Sequence, residues 1–576
     1  MISAVVRPVD DGRSSFHGDP EVFSMSSQSL PIGHRGLRAL AVLAAVVLTA
    51  GEAASQIVTD PNLTVQTVVT GLSLPTTMAF VGPGDILVLQ KNNGQVRRVL
   101  NGVLQPAPVL DLPVNSVSER GLLGIAVNGE NPPKVFLYLT EDLSDSTLIG
   151  TAIGNRVYRY TWNALAGTLT SPQLVLDLPV TPGPNHDGGV LVLDAAGRLY
   201  AVIGDLNRNG QLQNNPGGAA PDDTSVILRV NGDGTPAAGN PFTPYCSVTT
   251  TQTCSVDGDC PGGQTCRTQV ARYYAFGVRN SFGMAIDPVT GVLWDTENGP
   301  ADYDEVNRVS PGFNSGWNQI MGPDSRDPQG VGNLFNMPGA GSTYGDPEFS
   351  WLATVAPTAI LFPRGLSPAY DSAALVGDSN NGNLYSFPLN PTRDGFELGG
   401  FTGLSDLVAD TLAERNAVRI GSSFGAITDL KEGPDGAVYV VSITNGAIYR
   451  IAGGGRSYHT VTPCRVVDTR SGAPLASGVE RLFTLVGGLC GVPATARSLA
   501  LNVTATDPTG LGHVTLFPGN FPAPLTSSLN FSAGQTRANN AVVALSTDGV
   551  GMVKALAAVS GGGTVHVIID VSGYFE

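Results

Sequence analysis

The sequence predicts an all-β chain: a six-bladed β-propeller followed by a small β-sandwich-like domain. Glycine (72 residues) and proline (41) are abundant while charged residues make up only 14%, a composition of short strands and tight turns rather than long helices. Alternating apolar and polar stretches recur, each opened by a turn that holds Asp or Gly. At 576 residues the chain also exceeds the roughly 250–300 that one core serves, so a large and a smaller domain are expected.

Residues 1–55 read as an N-terminal extension ending in an export signal. Arg35 and Arg38 precede the apolar stretch 39–48, and small residues follow at 53–55, the order of charge, apolar core and cleavage site used for secretion. The stretch is too short to span a hydrocarbon core of about 30 Å, so the mature chain has no transmembrane segment. Cleavage near residue 55 then makes the protein secreted or periplasmic. A start at Met25 and a cytoplasmic extension are the alternatives. No cysteine lies near the cleavage region, which argues against a lipid anchor.

Residues 56–453 carry the repeat. Its copies lie at 84–89 with 94–99, 135–139 with 156–160, 197–203, 291–296, 382–387, and 436–441 with 446–451. A short sheet cannot cover its own apolar face, and radial packing of six such sheets solves the problem. Two stretches interrupt the pattern: a Cys-rich insertion at 244–268 and a Gly- and Pro-rich stretch at 322–344. Glycines at 453–455 mark a break, and residues 454–576 show alternating segments that read as the sandwich. His513 and His566 fall inside its strand-like runs and read as structural.

All six cysteines follow the signal, and an even count in an exported chain favours disulfides. Cys464 and Cys490 form one bridge. The connectivity of Cys246, Cys254, Cys260 and Cys266 is open, and a zinc site is the alternative, although their spacing lacks paired CxxC motifs.

A net charge of -16 with only four lysines excludes a nucleic-acid or anionic-membrane partner, which needs a concentrated basic face. Neutral solutes and oxygen-bound cations fit. The GSSFG motif places Ser423 where a hydrolase nucleophile would stand, but strand residues follow where that motif needs a helix. No HExxH, phosphate-cradling loop or dinucleotide fingerprint is present.

The chemistry concentrates in two segments, 185–205 and 273–317. His186 is the one histidine of the central domain, set between Pro184 and Gly188 in a loop; imidazole suits a proton acceptor at neutral pH, and a loop histidine bonding a carbonyl is the bland reading. Arg279 and Asn280 precede a strand. Glu297, Asn298, Gly299, Pro300, Asp302, Asp304 and Glu305 follow one, and such oxygen-rich loops suit calcium, a solvated acidic turn being the alternative. Asp257 and Asp259 read as turn residues.

Together these segments resemble the soluble glucose/sorbosone dehydrogenase family: RGLLGIAV at 120–127, NHDGG with LYAVIGD, ILRVNGDGTPAAGNPF at 227–242, FGVRNSFGMAID, ENGPADYDEVN, and GPDGAVYVVS at 433–442. The resemblance implies a six-bladed propeller that oxidises the anomeric hydroxyl of aldoses to lactones with pyrroloquinoline quinone (PQQ) and calcium. It implies His186 as general base with Asp205 and Asp304 close by, and Arg279 and Asn280 contacting cofactor and substrate. The Gly299 and Pro300 carbonyls correspond to ligands of the quinone-polarising calcium, and Glu305 to a ligand of a second, structural calcium. The chain departs from the family at its cationic quinone clamps, where Asn380, Ala426 and Thr428 stand, with Arg364, Arg415 and Arg419 as nearby replacements, and at Asn298, where relatives carry His or Gln. A small sugar is the implied substrate; no motif identifies the electron acceptor. Two rival readings remain: a non-catalytic, calcium-stabilised propeller that binds glycans or proteins, and a metal-dependent lactonase. The last domain resembles a module at the C-terminus of exported bacterial proteins.

Overall fold

The computed structural model describes residues 56–326, 330–338, 342–453, 458–546 and 550–576. The export signal with Arg35, Arg38 and Met25 lies outside them, as do Gly454 and Gly455 of the break. Among the described residues the one α-helix is Leu412–Ala417, opened by a capping box between Thr411 and Glu414.

The chain divides into two compact units at Gly453. The first holds six sheets, and each copy of the repeat falls in a different one. The first strands of the sheets, Pro75–Gly82, Leu122–Val127, Leu191–Leu193, Ser281–Ile286, Pro357–Leu361 and Ile427–Glu432, pack each on the next, and the last packs back on the first. The ring is tied shut in the sixth sheet, where Leu63–Val69 from the chain's start pairs antiparallel with Ala447–Gly453 from the unit's end.

One apolar cluster fills each seam. Leu199, Ala201 and Ile203 pack with Phe136 and Tyr138 of the second sheet, while Tyr200 and Val202 pack with Met284 and Leu293 of the fourth. Alternate residues of one strand therefore face two neighbouring sheets, and Leu199–Ile203 and Val438–Ser442 are buried throughout. This differs from the half-buried alternation read in the sequence: a sheet with a neighbour on each side has no solvent face along its middle strands, which explains their continuous apolar runs.

In the insertion Cys246 bonds Cys260 and Cys254 bonds Cys266, so these sulfurs are disulfides rather than zinc ligands. Asp259 accepts the N–H groups of Ser255 (2.7 Å) and Val256 (3.1 Å), the turn chemistry expected of it.

The second unit has a five-stranded and a four-stranded sheet sharing one apolar cluster that includes Val503, Val514, Val553 and Val567. His566 is used structurally, its Nδ1 lying 3.1 Å from the Thr469 hydroxyl. Cys464 and Cys490 are bonded across 26 residues. Closing a loop of that length stabilises by about 3 kcal/mol, so Cys464→Ser/Cys490→Ser is expected to lower the unit's unfolding free energy by about that amount, read from urea titration of the second transition. No helix among the described residues is long and apolar enough to cross a membrane.

Candidate active site

The residues singled out in the sequence gather at one end of the ring, where first strands begin and second strands finish. Glu119 and Arg120 precede Leu122–Val127, His186 precedes Leu191–Leu193, and Arg279 and Asn280 precede Ser281–Ile286. Asp205 follows Leu199–Ile203, and Asn298 follows Leu293–Glu297.

Glycine geometry brings the His186 loop onto this end. Gly188 has φ +64°, and a Cβ there would stand 2.6 Å from the Val202 carbonyl oxygen. A Cβ on Gly204 would lie 2.4 Å from the Arg279 carbonyl oxygen and 2.6 Å from that of His186. Only a bare backbone lets the three segments meet.

His186 Nδ1 lies 2.5 Å from Asp205 Oδ1. Asp205 also accepts the Asn207 N–H (2.8 Å), Gln213 Nε2 (2.8 Å) and Trp317 Nε1 (2.8 Å). Burial pushes its carboxyl up, but the bonds from His186, Asn207 and Trp317 outweigh burial and hold it below the usual carboxylate range. A carboxylate so fixed accepts a hydrogen bond from Nδ1–H and leaves Nε2 as the acceptor. The His186 N–H donates to Glu119 Oε2 at 2.6 Å, and Asn280 Nδ2 donates to the same oxygen at 3.1 Å.

Arg279 links the third and fourth sheets. Its N–H donates to Glu297 Oε1 (2.5 Å), Nη1 donates to the Asn298 carbonyl (2.6 Å), and its own carbonyl accepts the Asp205 N–H (2.9 Å). The guanidinium sits 5.2 Å from the Trp317 ring centroid, a cation–π distance. Arg279 Nε, Asn280 Oδ1 and Asn298 Oδ1 are buried without a partner, and three such polar atoms at one junction call for an explanation.

Asp304 stands directly behind the Gly299–Pro300 loop. It is 1% exposed; Oδ1 accepts the Gly299 N–H (2.9 Å) and Oδ2 those of Val355 (2.6 Å) and Ala356 (2.7 Å). Burial pushes its carboxyl up to about 6 against the pull of these three bonds. It therefore pins the Gly299–Pro300 loop rather than meeting reactants.

Behind that loop lies a layer of acids. Asp295 and Glu297 point to one face of their strand, and their partners across the ladder are Asn307 and Glu305. All four are at most 1% exposed. Ser315 donates to Glu297 (2.6 Å), while the Gly322 N–H (2.5 Å) and Asn307 Nδ2 (3.1 Å) donate to Glu305. Neither Asp295 oxygen, nor Asn307 Oδ1, has a partner in good hydrogen-bond geometry, although Asn307 and Ser281 stand near enough to pull the Asp295 carboxyl down against burial. Burial pushes all three carboxyls up, and Glu297 adds repulsion at Asp295 and at Glu305. Charge in so dry a layer is disfavoured unless a proton or a cation neutralises it.

The sequence model of the Glucose / Sorbosone dehydrogenase family matches residues 72–450, the span that builds the ring and this site. The chain belongs to the glucose/sorbosone dehydrogenase family. A Synechocystis protein without an assigned activity is 24% identical over 410 residues, 68% of this chain and 87% of its own. Quinoprotein glucose dehydrogenase B of Acinetobacter calcoaceticus is 26% identical over 281 residues, 45% of this chain and 53% of its own. Aldose sugar dehydrogenase YliI of Escherichia coli is 24% identical over 248, 43% of this chain and 59% of its own. The chain thus spans little more than half the length of these two dehydrogenases. The crystal structure of the soluble Escherichia coli aldose sugar dehydrogenase in its apo form matches with a TM-score of 0.50 at 21% identity, covering 68% of this chain and 99% of that one, a likeness of fold.

Set against the family's clamps, Asn380 is exposed and Thr428 donates to the Pro75 carbonyl at 3.2 Å. Arg364 is no replacement. Its N–H donates to Glu432 Oε1 at 3.0 Å, and Glu432 ends the strand that Ala426 precedes, about 20 Å away at the usual rise. Arg415 lies in the helix Leu412–Ala417 and Arg419 on the fourth strand of the fifth sheet, away from the inner strands.

Sequence reasoning missed Glu119, Lys91, Gln213 and Trp317. Lys91 is buried, and its Nζ donates to the Ser118 carbonyl at 2.7 Å; burial pushes it down to about 8 although Glu119 and Asp187 pull it up. Asp187 is pushed up to about 6 by burial, which outweighs Asn155 and Arg120. Glu119 stands immediately before the RGLLGIAV motif and Trp317 ends the 273–317 run, so adjacency was the available signal. Gln213 carried none.

Proposed function

We propose that this chain is an exported sugar dehydrogenase that oxidises the anomeric hydroxyl of an aldose to the lactone. In this reading the six sheets are propeller blades and residues 454–576 a β-sandwich-like accessory domain. The observation that carries it is the His186–Asp205 pair set against Arg279, Asn280 and the Asn298–Pro300 loop. His186 Nε2 accepts the hydroxyl proton, and Asp205 stabilises the imidazolium that results. Arg279 and Asn280 orient the sugar and the oxidant with their spare polar atoms. Export is supported by the signal at 35–55 and by three disulfides.

The cofactor in this reading is PQQ with calcium: the Acinetobacter calcoaceticus relative is named a quinoprotein, and oxygen-rich loops such as 297–305 suit calcium. When bound, the quinone supplies the two-electron acceptor and the calcium polarises it. The unpartnered Arg279 Nε, Asn280 Oδ1 and Asn298 Oδ1 fit a flat polar ligand, with the Gly299 and Pro300 carbonyls for its calcium. Asp295, Glu305 and Asn307 fit a second, structural calcium. On the clamp side Asn380, Ala426 and Thr428 provide no charge, which makes the quinone's hold weak rather than absent. Two restored cations, Asn380→Lys with Ala426→Arg, are each expected to add a charged hydrogen bond of about 1.5–3 kcal/mol, tightening PQQ by about 10²–10⁴-fold in equilibrium fluorescence titration with calcium.

The missing clamps also favour a second reading, in which the ring binds glycans or proteins without turnover. Absence of PQQ uptake at micromolar concentrations, both in the natural chain and in the clamp variant, decides for it.

A further inference from the structure

The second unit contains a cleft that the chemistry above does not use. It opens at one end of the four-stranded sheet, has a volume of about 620 Å3, and is lined by His513, Asn530, Phe531, Ser532, Arg537 and Ser560 among others. Ladder register builds it: His513 stands opposite Asn530, and Gly512 opposite Phe531. Phe531 is 2% exposed; its side chain turns into the shared apolar cluster, on the opposite face of the strand from the exposed Asn530.

Polar groups around the cleft are left without work. Among the described residues the side chains of Arg537, His513 and Asn530 make no hydrogen bond or ion pair, whereas Arg465 and Arg470 are paired with Asp570 and Asp468, and Lys554 with Glu480. Charge is segregated along the chain as well. Residues 454–576 carry seven basic and six acidic residues, while the preceding 453 carry twenty-five and forty-two. An anion repelled by the ring is tolerated here.

We propose that this cleft binds an acidic polysaccharide, a chain containing uronic acid units, and so attaches the secreted protein to an anionic glycan matrix. The planar guanidinium of Arg537 matches a sugar carboxylate in two-pronged fashion. Asn530, His513 and the Ser532 and Ser560 hydroxyls match the alternating donors and acceptors of sugar hydroxyls. A single cation suits a monoanionic carboxylate better than a phosphate, and the buried Phe531 offers no platform on which a base would stack. The inference concerns attachment only and stands independently of the oxidation proposed above.

Affinity electrophoresis of the full-length chain through native gels containing polygalacturonate or neutral dextran tests it. Retardation is expected in polygalacturonate alone, weakening as salt is raised because the contact is exposed. Arg537→Ala is expected to weaken it at least about tenfold. Arg481→Ala removes the same charge outside the cleft, where Arg481 donates to the Ala473 carbonyl, and is expected to leave it unchanged. Equal retardation in dextran, no retardation at all, or equal losses in the two arginine variants overturns the proposal.

Discussion

His186→Ala is expected to lower dye-linked aldose oxidation by about 10²–10⁴-fold, the usual weight of a positioned general base, in the calcium- and PQQ-loaded protein. The loss should fall on kcat, because the imidazole takes the proton only as the bond to hydrogen breaks. Asp205→Asn is expected to cost less, about 10–100-fold, since it acts on the ring through Nδ1 rather than on the sugar. Circular dichroism should remain that of the natural chain: His186 is held by its backbone bond to Glu119, which alanine keeps. Full activity in His186→Ala would refute the assignment of the base and leave the ring as a binder.

The acid layer gives the second large effect. Asp295, Glu297 and Glu305 have folded-state pKa values above their unfolded ones, and Asp187 and Asp304 are pushed up to about 6. Between the unfolded value near 4 and these raised values the folded state holds more protons than the unfolded chain, so stability falls as pH rises through that window. Thermal unfolding in chelator is therefore expected at a lower temperature at pH 8 than at pH 5. Calcium replaces the protons, so its stabilisation should be large at pH 8 and small at pH 5. Asp295→Asn removes a buried charge that has no ion-pair partner, and such a charge costs several kcal/mol. It is expected to raise the metal-free melting temperature at pH 8 and to lose most of the calcium response. A calcium shift independent of pH and unchanged in Asp295→Asn would show that the ion binds elsewhere.

Much of the fold was legible because β structure writes itself in local terms: turn glycines, alternating strands, and a repeat that places one copy in each sheet. The half-buried alternation misled for the same reason, since whether a second neighbour covers a strand is not a property of that strand. The candidate site was legible where motif and chemistry coincide, at His186, Arg279 and Asn280. Asp304 was misread. Its position in the ENGPADYDEVN motif suggested chemistry, while its oxygens are taken by the N–H groups of Gly299, Val355 and Ala356, two of them about fifty residues away.

The sequence by itself determined the strand-rich architecture, the break near Gly453, the bonding of Cys464 to Cys490 and the residue types able to act. It did so because these depend on local backbone preference, composition and simple pairing. The tertiary structure alone decided which carboxylate serves the imidazole, that Glu119 holds the His186 backbone, that Arg364 stands at the wrong end of the ring, and that Asp295 is buried beside Glu297 with no cation. Glu119 with His186, and Arg364 with Glu432, are contacts between neighbouring sheets made only when sheet packs on sheet, while His186 with Asp205 and Asp295 with Asn307 meet within single sheets, through strand pairing that the sequence does not print.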